Sequence, residues 1–312
     1  MPQPIGRAGS AALARLLLVL SGVGPRIEPP EGLRLEGLLG RGAHGTVFAA
    51  RCPRRGPLAL KLGRPGDPLA PFLAEARCMG AVSHPRVPRV VDVSRTGRGT
   101  PYLMMQRAPG RSLRPLLPRL SRRRATALVD DLLGVLTEVH ASGIVHCDVK
   151  ASNLRVAEGE VWLLDFGIAR RGARRWTRQE RARGTPAYMA PEQLEGRRVD
   201  ARTDLYAVGV LLYRAWFGVL PFPREGFGLL RRKRRALYVP PSIRDPRFEP
   251  ADDLFRRLLA GSARARLASA RKARAALATI RRRLPRTILA CAPDGEPSAT
   301  RRTRHTLETH PA

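Results

Sequence analysis

Residues 40–47, GRGAHGTV, close one strand-like run and open another. LRLEGLLG leads into them and TVFAARC leads out, so three glycines fall at a hairpin. That placement separates two nucleotide readings of one pattern. A dinucleotide fingerprint passes from strand into helix within a βαβ unit, whereas here Thr46, Val47 and Phe48 continue as strand. Gly40, Gly42 and Gly45 instead let backbone amides close over phosphates with no Cβ in the way.

The hairpin belongs to a first part that is rich in strands. PLALKLG, RVVDV and PYLMMQ read as strands around one helical stripe of Leu69, Phe72, Leu73, Ala76 and Met79, and this part ends near Gln106. The rest reads as mainly helical. Ser121 caps an amphipathic segment reaching about His140, and the two short strands LRV and VWLLDF follow. DLYAVGVLLYRAWFG is apolar on nearly every side, the mark of a buried helix. Two more helices fit between 252 and 283. The expected layout is α+β in two lobes: a small antiparallel β lobe with one main helix over 33–106, and a larger helical lobe over 107–284. Residues 1–32 read as an extension and linker ending in PRIEPPEG, and 285–312 as a disordered tail.

Composition then removes several function classes. The net charge is +31, from 57 basic and 26 acidic residues, a balance that ordinarily suggests nucleic acid or anionic lipid. The arginines are spread along the chain, however, and aromatics are only 5%, so the basic surface reads as solvated and nucleic acid is not an expected partner. Four cysteines form no CxxC pair and no ligand cluster, which fits a reduced, cytoplasmic compartment. AALARLLLVLSGVG, residues 11–24, is broken by Arg15 and shorter than the roughly 20 residues a membrane span needs. It also lacks a basic start and a clear cleavage site, so a helix packed on the domain or unfolded upstream sequence is expected. With no sensor domain or span attached, regulation is expected from partners or the terminal segments. Oligomeric state is not legible.

The skew among the basic residues is expected to reflect codon composition more than function, so a lysine at a motif position carries extra information. Only Lys61, Lys150, Lys233 and Lys272 are lysines; the other 53 basic residues are arginine. Lys61 lies in the strand LALKL, sixteen residues past Gly45. A strand lysine can reach nucleotide phosphates if a carboxylate fixes it, and Glu75 sits on the following helix. Asp67, before Pro68, is expected to cap that helix.

The ordered set GxGxxGxV, strand lysine, helix glutamate, HCDVKASN, DFG and APE resembles the eukaryotic-type (Hanks-type) Ser/Thr protein kinases over roughly residues 33–283, and a bacterial member is expected. The resemblance implies the two-lobed kinase fold, with ATP and Mg²⁺ as cofactors and a protein acceptor. Asp148 would accept or orient the proton of the attacking hydroxyl, and Lys150 would balance charge on the γ-phosphate. Asn153 and Asp165 offer the few hard oxygens that Mg²⁺ prefers. Val47, Ala59, Gln106 and Ala108 would complete the ATP pocket with the three glycines and Lys61. His146 reads as a packed core histidine, stacked with Met79, Val90 and Phe166 in a column joining the lobes.

Further along, GTPAYMAPE resembles the segment that seats the protein substrate. Glu192 would pair with Arg266, and Asp204 would anchor the backbone of the catalytic loop. Thr185 beside Lys150 implies Ser/Thr rather than Tyr specificity.

Three departures modify the expectation. Cys147 stands where many members carry the arginine that grips a phosphorylated activation loop, so activity independent of phosphorylation at the candidate phosphosite Thr177 is expected. Ser112 and Ser152 stand where arginine-directed members are acidic, and arginines 170, 171, 174, 175, 178, 181 and 183 crowd the loop, so neutral or acidic acceptors are expected. Arg155 lies where an apolar residue usually packs beneath adenine, and Gln106 replaces the usual hinge glutamate. The rival reading is a pseudokinase scaffold or nucleotide-binding regulator; it predicts loss of Lys61, Asp148, Asn153 or Asp165, and all four are present. A basic nucleic-acid binder on the same scaffold would show steeply salt-dependent binding.

Overall fold

The computed structural model describes residues 33–42, 45–53, 55–177, 180–181, 184–226 and 228–291. Five strands form one antiparallel sheet: β1 (Arg34–Gly42), β2 (Gly45–Cys52), β3 (Gly56–Leu62), β4 (Val90–Arg95) and β5 (Pro101–Gln106), in the order β1-β2-β3-β5-β4. The period-2 alternation of β3 sets two faces. Leu58, Leu60 and Leu62 join Leu35, Phe48 and Tyr102 in an apolar layer. Ala59 belongs instead to the main core, with Phe72, Ala76 and Met79 of helix α1 (Ala70–Gly80).

Asp67 does not cap α1. Its Oδ2 accepts from the Arg64 amide at 2.7 Å, and the cap position is Leu69, which offers no side-chain acceptor. The Pro-Gly turn before the helix captures the carboxylate first, a competition that Asp side chains commonly settle in favour of the turn.

The second lobe is built on α2 (Arg122–Ala141), whose first turn is closed by the Ser121 hydroxyl accepting from Arg124, and on α4 (Ala201–Phe217), capped by Asp200 with Thr203. Between them run the one-turn helix α3 (Pro191–Glu195) and the β-pair β6 (Leu154–Ala157) and β7 (Glu160–Leu163). The interior of α4 is fully enclosed: Tyr206, Tyr213 and Trp216 are all buried. Helices α5 (Leu229–Arg234), α6 (Asp252–Leu258) and α7 (Ala270–Arg283) follow in the same lobe.

Order continues past 284, against the expected disordered tail. Residues Arg286–Ala290 form α8, Ile288 and Leu289 are buried, and the Arg122 amide donates to the Cys291 carbonyl at 2.9 Å. Five residues are too few to display helical periodicity, so two adjacent apolar side chains were the only signal. Residues 1–32, with the apolar stretch 11–24, and the tail from 292 lie outside the described residues. Among the described residues no helix is long and apolar enough to cross a membrane.

Candidate active site

A cleft of about 480 Å³ separates the sheet from the helical lobe, and the glycine-rich hairpin roofs it. Gly40 pairs with Val47 and Gly42 with Gly45, so the hairpin keeps strand register up to its tip; Ala43 and His44 lie outside the described residues. Gly45 has φ +120°, and a Cβ there would lie 2.1 Å from the Leu62 carbonyl oxygen, so no other residue fits. Val47, Ala59, Gln106 and Ala108 line the same cleft.

Lys61 shares the α1 side of β3 with Ala59. Its Nζ lies 2.7 and 2.9 Å from the Glu75 carboxylate oxygens and 3.1 Å from Asp165 Oδ1. Burial by itself disfavours this ammonium, but the Asp165 and Glu75 carboxylates outweigh it and hold the Lys61 pKa above its ordinary value. The lysine is thus a fixed, fully charged cation in the wall of the cleft.

Opposite it, Asp148 is held from three sides. Asn153 Nδ2 donates to its carbonyl (3.0 Å) and to Oδ2 (2.9 Å), while Lys150 Nζ sits 2.7 Å from Oδ2. Lys150 also donates to Thr185 Oγ1 at 3.0 Å. Burial pushes the Asp148 carboxyl up from its ordinary pKa, and Lys150 pulls the other way. The Asp204 carboxylate pins the loop from below, accepting from the amides of His146 (2.9 Å) and Cys147 (2.7 Å). Cys147 and Asp165 carry φ of +65° and +63°, the left-handed region that non-glycine residues avoid. Such strain persists only where the surroundings over-determine it, which the Asp204 bonds do at Cys147.

His146 is a core residue. Its Nε2 faces the Leu164 carbonyl at 3.0 Å, its Nδ1 accepts from the Asp148 amide, and its ring packs edge-on against Phe166 at 4.7 Å. Met79 and Phe166 belong to the main core, with Val90 packed against it. Glu192 and Arg266 form a buried bidentate pair at 2.7 and 2.8 Å, closed by the Thr203 hydroxyl.

The residues fit a divalent cation. Asn153 spends its amide nitrogen on Asp148, which leaves the amide oxygen, and the Asp165 side chain stays 38% exposed to the cleft. Among the described residues no three His, Cys, Asp or Glu side chains converge as a metal cage. Few protein oxygens, completed by phosphate and water, is the Mg²⁺ pattern.

Several contacts escaped the sequence reading. Arg155 lines the cleft, and its guanidinium donates to the carbonyls of Pro109 and Gly110. Cys147 packs with Val145, Ile168, Trp176 and Val199, and burial and then Asp204 raise its thiol pKa well above the ordinary value, so it is an inert apolar side chain. Arg170 ion-pairs with Glu180 and lies over the Trp176 ring. Exposed Thr177 accepts from the Glu180 amide and donates its own amide back to Glu180 Oε2 at 2.7 Å. Glu180 and Gln193, which donates to the Cys147 carbonyl, had no motif to mark them. Arg178 and Arg183 lie outside the described residues.

A glycine-roofed cleft with a carboxylate-fixed strand lysine above and a pinned Asp-Lys-Asn loop below defines the protein kinase class. The protein kinase domain model matches residues 33–275, and the chain belongs to that family. It is 33% identical, over 79% of its length, to the serine/threonine-protein kinase pkn3 of Myxococcus xanthus, of which the match covers 49%. It is 34% identical to the serine/threonine-protein kinase PknA of Mycobacterium tuberculosis over 70% of this chain and 53% of that one. A probable serine/threonine-protein kinase PknB of Corynebacterium glutamicum is 32% identical over 61% of this chain and 32% of that one. The chain thus spans about half or less of these relatives' lengths.

Proposed function

We propose that this chain transfers the γ-phosphate of ATP to Ser or Thr hydroxyls of protein acceptors. The observation that carries the reading is the pair of fixed networks facing one cleft, Lys61–Glu75–Asp165 and Asp148–Lys150–Thr185. Phosphoryl transfer needs alignment and charge neutralisation more than covalent chemistry, and both networks supply these in advance. Lys61 holds the α- and β-phosphates, while Asp148 orients the acceptor hydroxyl and takes its proton. Lys150 bridges the base to Thr185 and lends positive charge where the transferring group passes. Asn153 and Asp165 would hold Mg²⁺, which neutralises phosphate charge when bound.

The acceptor is neutral or acidic in context. Ser112 and Ser152 line the cleft beside Arg114, so no carboxylate there recruits a basic peptide. Activity does not depend on phosphorylation of Thr177. Cys147 cannot grip a phosphate, and Arg170 already has an anion in Glu180. We place the domain in the cytoplasm, where ATP is available and where free thiols such as Cys78 and Cys147 stay reduced.

Incubating the chain with γ-labelled ATP, Mg²⁺ and a generic Ser/Thr protein tests the reading. Label should enter the acceptor, and Asp148→Asn should abolish this while still binding ATP. ATP binding without transfer in the unsubstituted chain would refute it and favour a scaffold.

A further inference from the structure

Lys233 is a lysine that the chemistry leaves unassigned, and it is fully buried at 0% exposure in α5. Among the described residues no carboxylate forms an ion pair with it. Its Nζ instead donates to three backbone carbonyls, those of Pro186 (2.9 Å), Ala187 (3.0 Å) and Met189 (2.5 Å). The rings of Tyr206 and Phe222 flank it, at 5.3 and 5.8 Å from Nζ to centroid. All three carbonyls belong to the GTPAYMAPE segment, two to five residues before the Glu192 anchor begins at Pro191. Residues 184–190 form turns and bends rather than helix or sheet, and Ala187, Tyr188 and Met189 are buried. Buried carbonyls need donors, and here one ammonium supplies three.

We infer that Lys233 is a positioning residue for the protein acceptor: it clamps residues 186–189 and, through the adjoining Thr185, fixes Lys150 beside Asp148. The inference rests on the kinase reading for its functional meaning, though not for the clamp itself.

Two further features support it. The clamp has a rigid base, because α5 is seated where a Cβ on Gly261 would lie 1.9 Å from the Arg234 carbonyl oxygen. The residue type is also selected against the composition. Three carbonyls converging on one atom suit a compact ammonium, whereas a guanidinium spreads its donors across a plane. In a chain with 53 arginines and four lysines, keeping lysine here is therefore specific. Arg266 and Glu192 are the charged groups facing Lys233; burial first and then Arg266 push its pKa down to about 7.

Hydrogen exchange and steady-state kinetics on the full chain test the clamp. In Lys233→Met, amide exchange over residues 184–190 should rise about tenfold or more while the amides of α4 keep their protection. The KM for a protein acceptor should rise about tenfold, with the KM for ATP within about twofold. Lys233→Arg keeps stem and charge, and should still loosen residues 184–190. Unchanged exchange in a folded Lys233→Met chain, or full protection by arginine, overturns the clamp. Equal shifts in the two KM values overturn its role towards the acceptor. If neither variant folds, the unsubstituted chain decides. With ¹⁵N-labelled lysine at about pH 6, below the Lys233 value of about 7, two slowly exchanging ammonium signals should appear, from buried Lys61 and Lys233. Absence of the Lys233 signal overturns the proposal. Should the chain transfer no phosphate, the kinase reading fails, and the exchange data still decide the clamp.

Discussion

Lys61 and Lys233 are both buried ammonium groups, yet their surroundings drive them in opposite directions. Lys61 meets two carboxylates, and Lys233 meets three carbonyls and two rings. Carboxylates compensate the lost hydration with full charge, so the Lys61 pKa stays above its ordinary value, while carbonyl dipoles compensate only in part and Lys233 falls to about 7. The difference follows their tasks. In the proposed roles, one lysine presents permanent charge to phosphates, and the other holds a backbone in one conformation through three hydrogen bonds.

Substituting each lysine by methionine should break the symmetry most sharply. Lys61→Met should lower transfer by on the order of 10²–10³, measured as kcat/KM for ATP, since a fixed cation facing the phosphates is lost. Lys233→Met should act on the acceptor side only, by about tenfold. Equal losses for ATP in the two variants would erase the distinction.

Alkaline titration sharpens it further. Between about 7 and 10.5 the unfolded chain keeps a proton on Lys233 that the folded chain has shed, so the stability due to Lys233 rises with pH across that window. Lys61 has a raised folded pKa, so its contribution is fully present below 10.5 and fades only above it. Urea midpoints of the parent and each methionine variant, compared over that range, should therefore diverge for Lys233 and run parallel for Lys61.

Smaller effects concern the third lysine and the loop. The raised Asp148 pKa places the acid limb of activity above the ordinary 3.8 for aspartate, because a protonated carboxyl cannot take the acceptor's proton. Lys150 lowers that pKa, so Lys150→Met should move the limb further towards neutral, read from kcat/KM against pH. Thr177→Ala should change activity by less than about twofold, since its side chain only caps an exposed turn. A larger loss would show that a phosphate at Thr177 is needed after all.

Much of the site was legible because its chemistry is local in sequence. HCDVKASN holds base, cation and amide within eight residues, and DFG and the glycine hairpin are equally compact. The Lys61–Glu75 pair was legible too, since a strand lysine followed by one helix carboxylate leaves few alternatives. Glu180, Gln193 and the Arg155 carbonyl contacts were not, because each partner is a backbone group or a distant residue without a pattern of its own. Helix α8 was missed for the same kind of reason: burial of Ile288 and Leu289 is granted by α2 and its neighbours, not by local periodicity.

By itself the sequence determined the two-lobed α+β plan and the motif residues that gather around one cleft, because periodicity and motif spacing are properties of short segments. It offered Lys233 only as one of four lysines, at no motif position, and gave no reason why it was kept. Only the tertiary structure decided that, by folding three carbonyls from a turn some 45 residues upstream onto one ammonium. Backbone acceptors are the same in every residue, so no sequence pattern announces where they will converge.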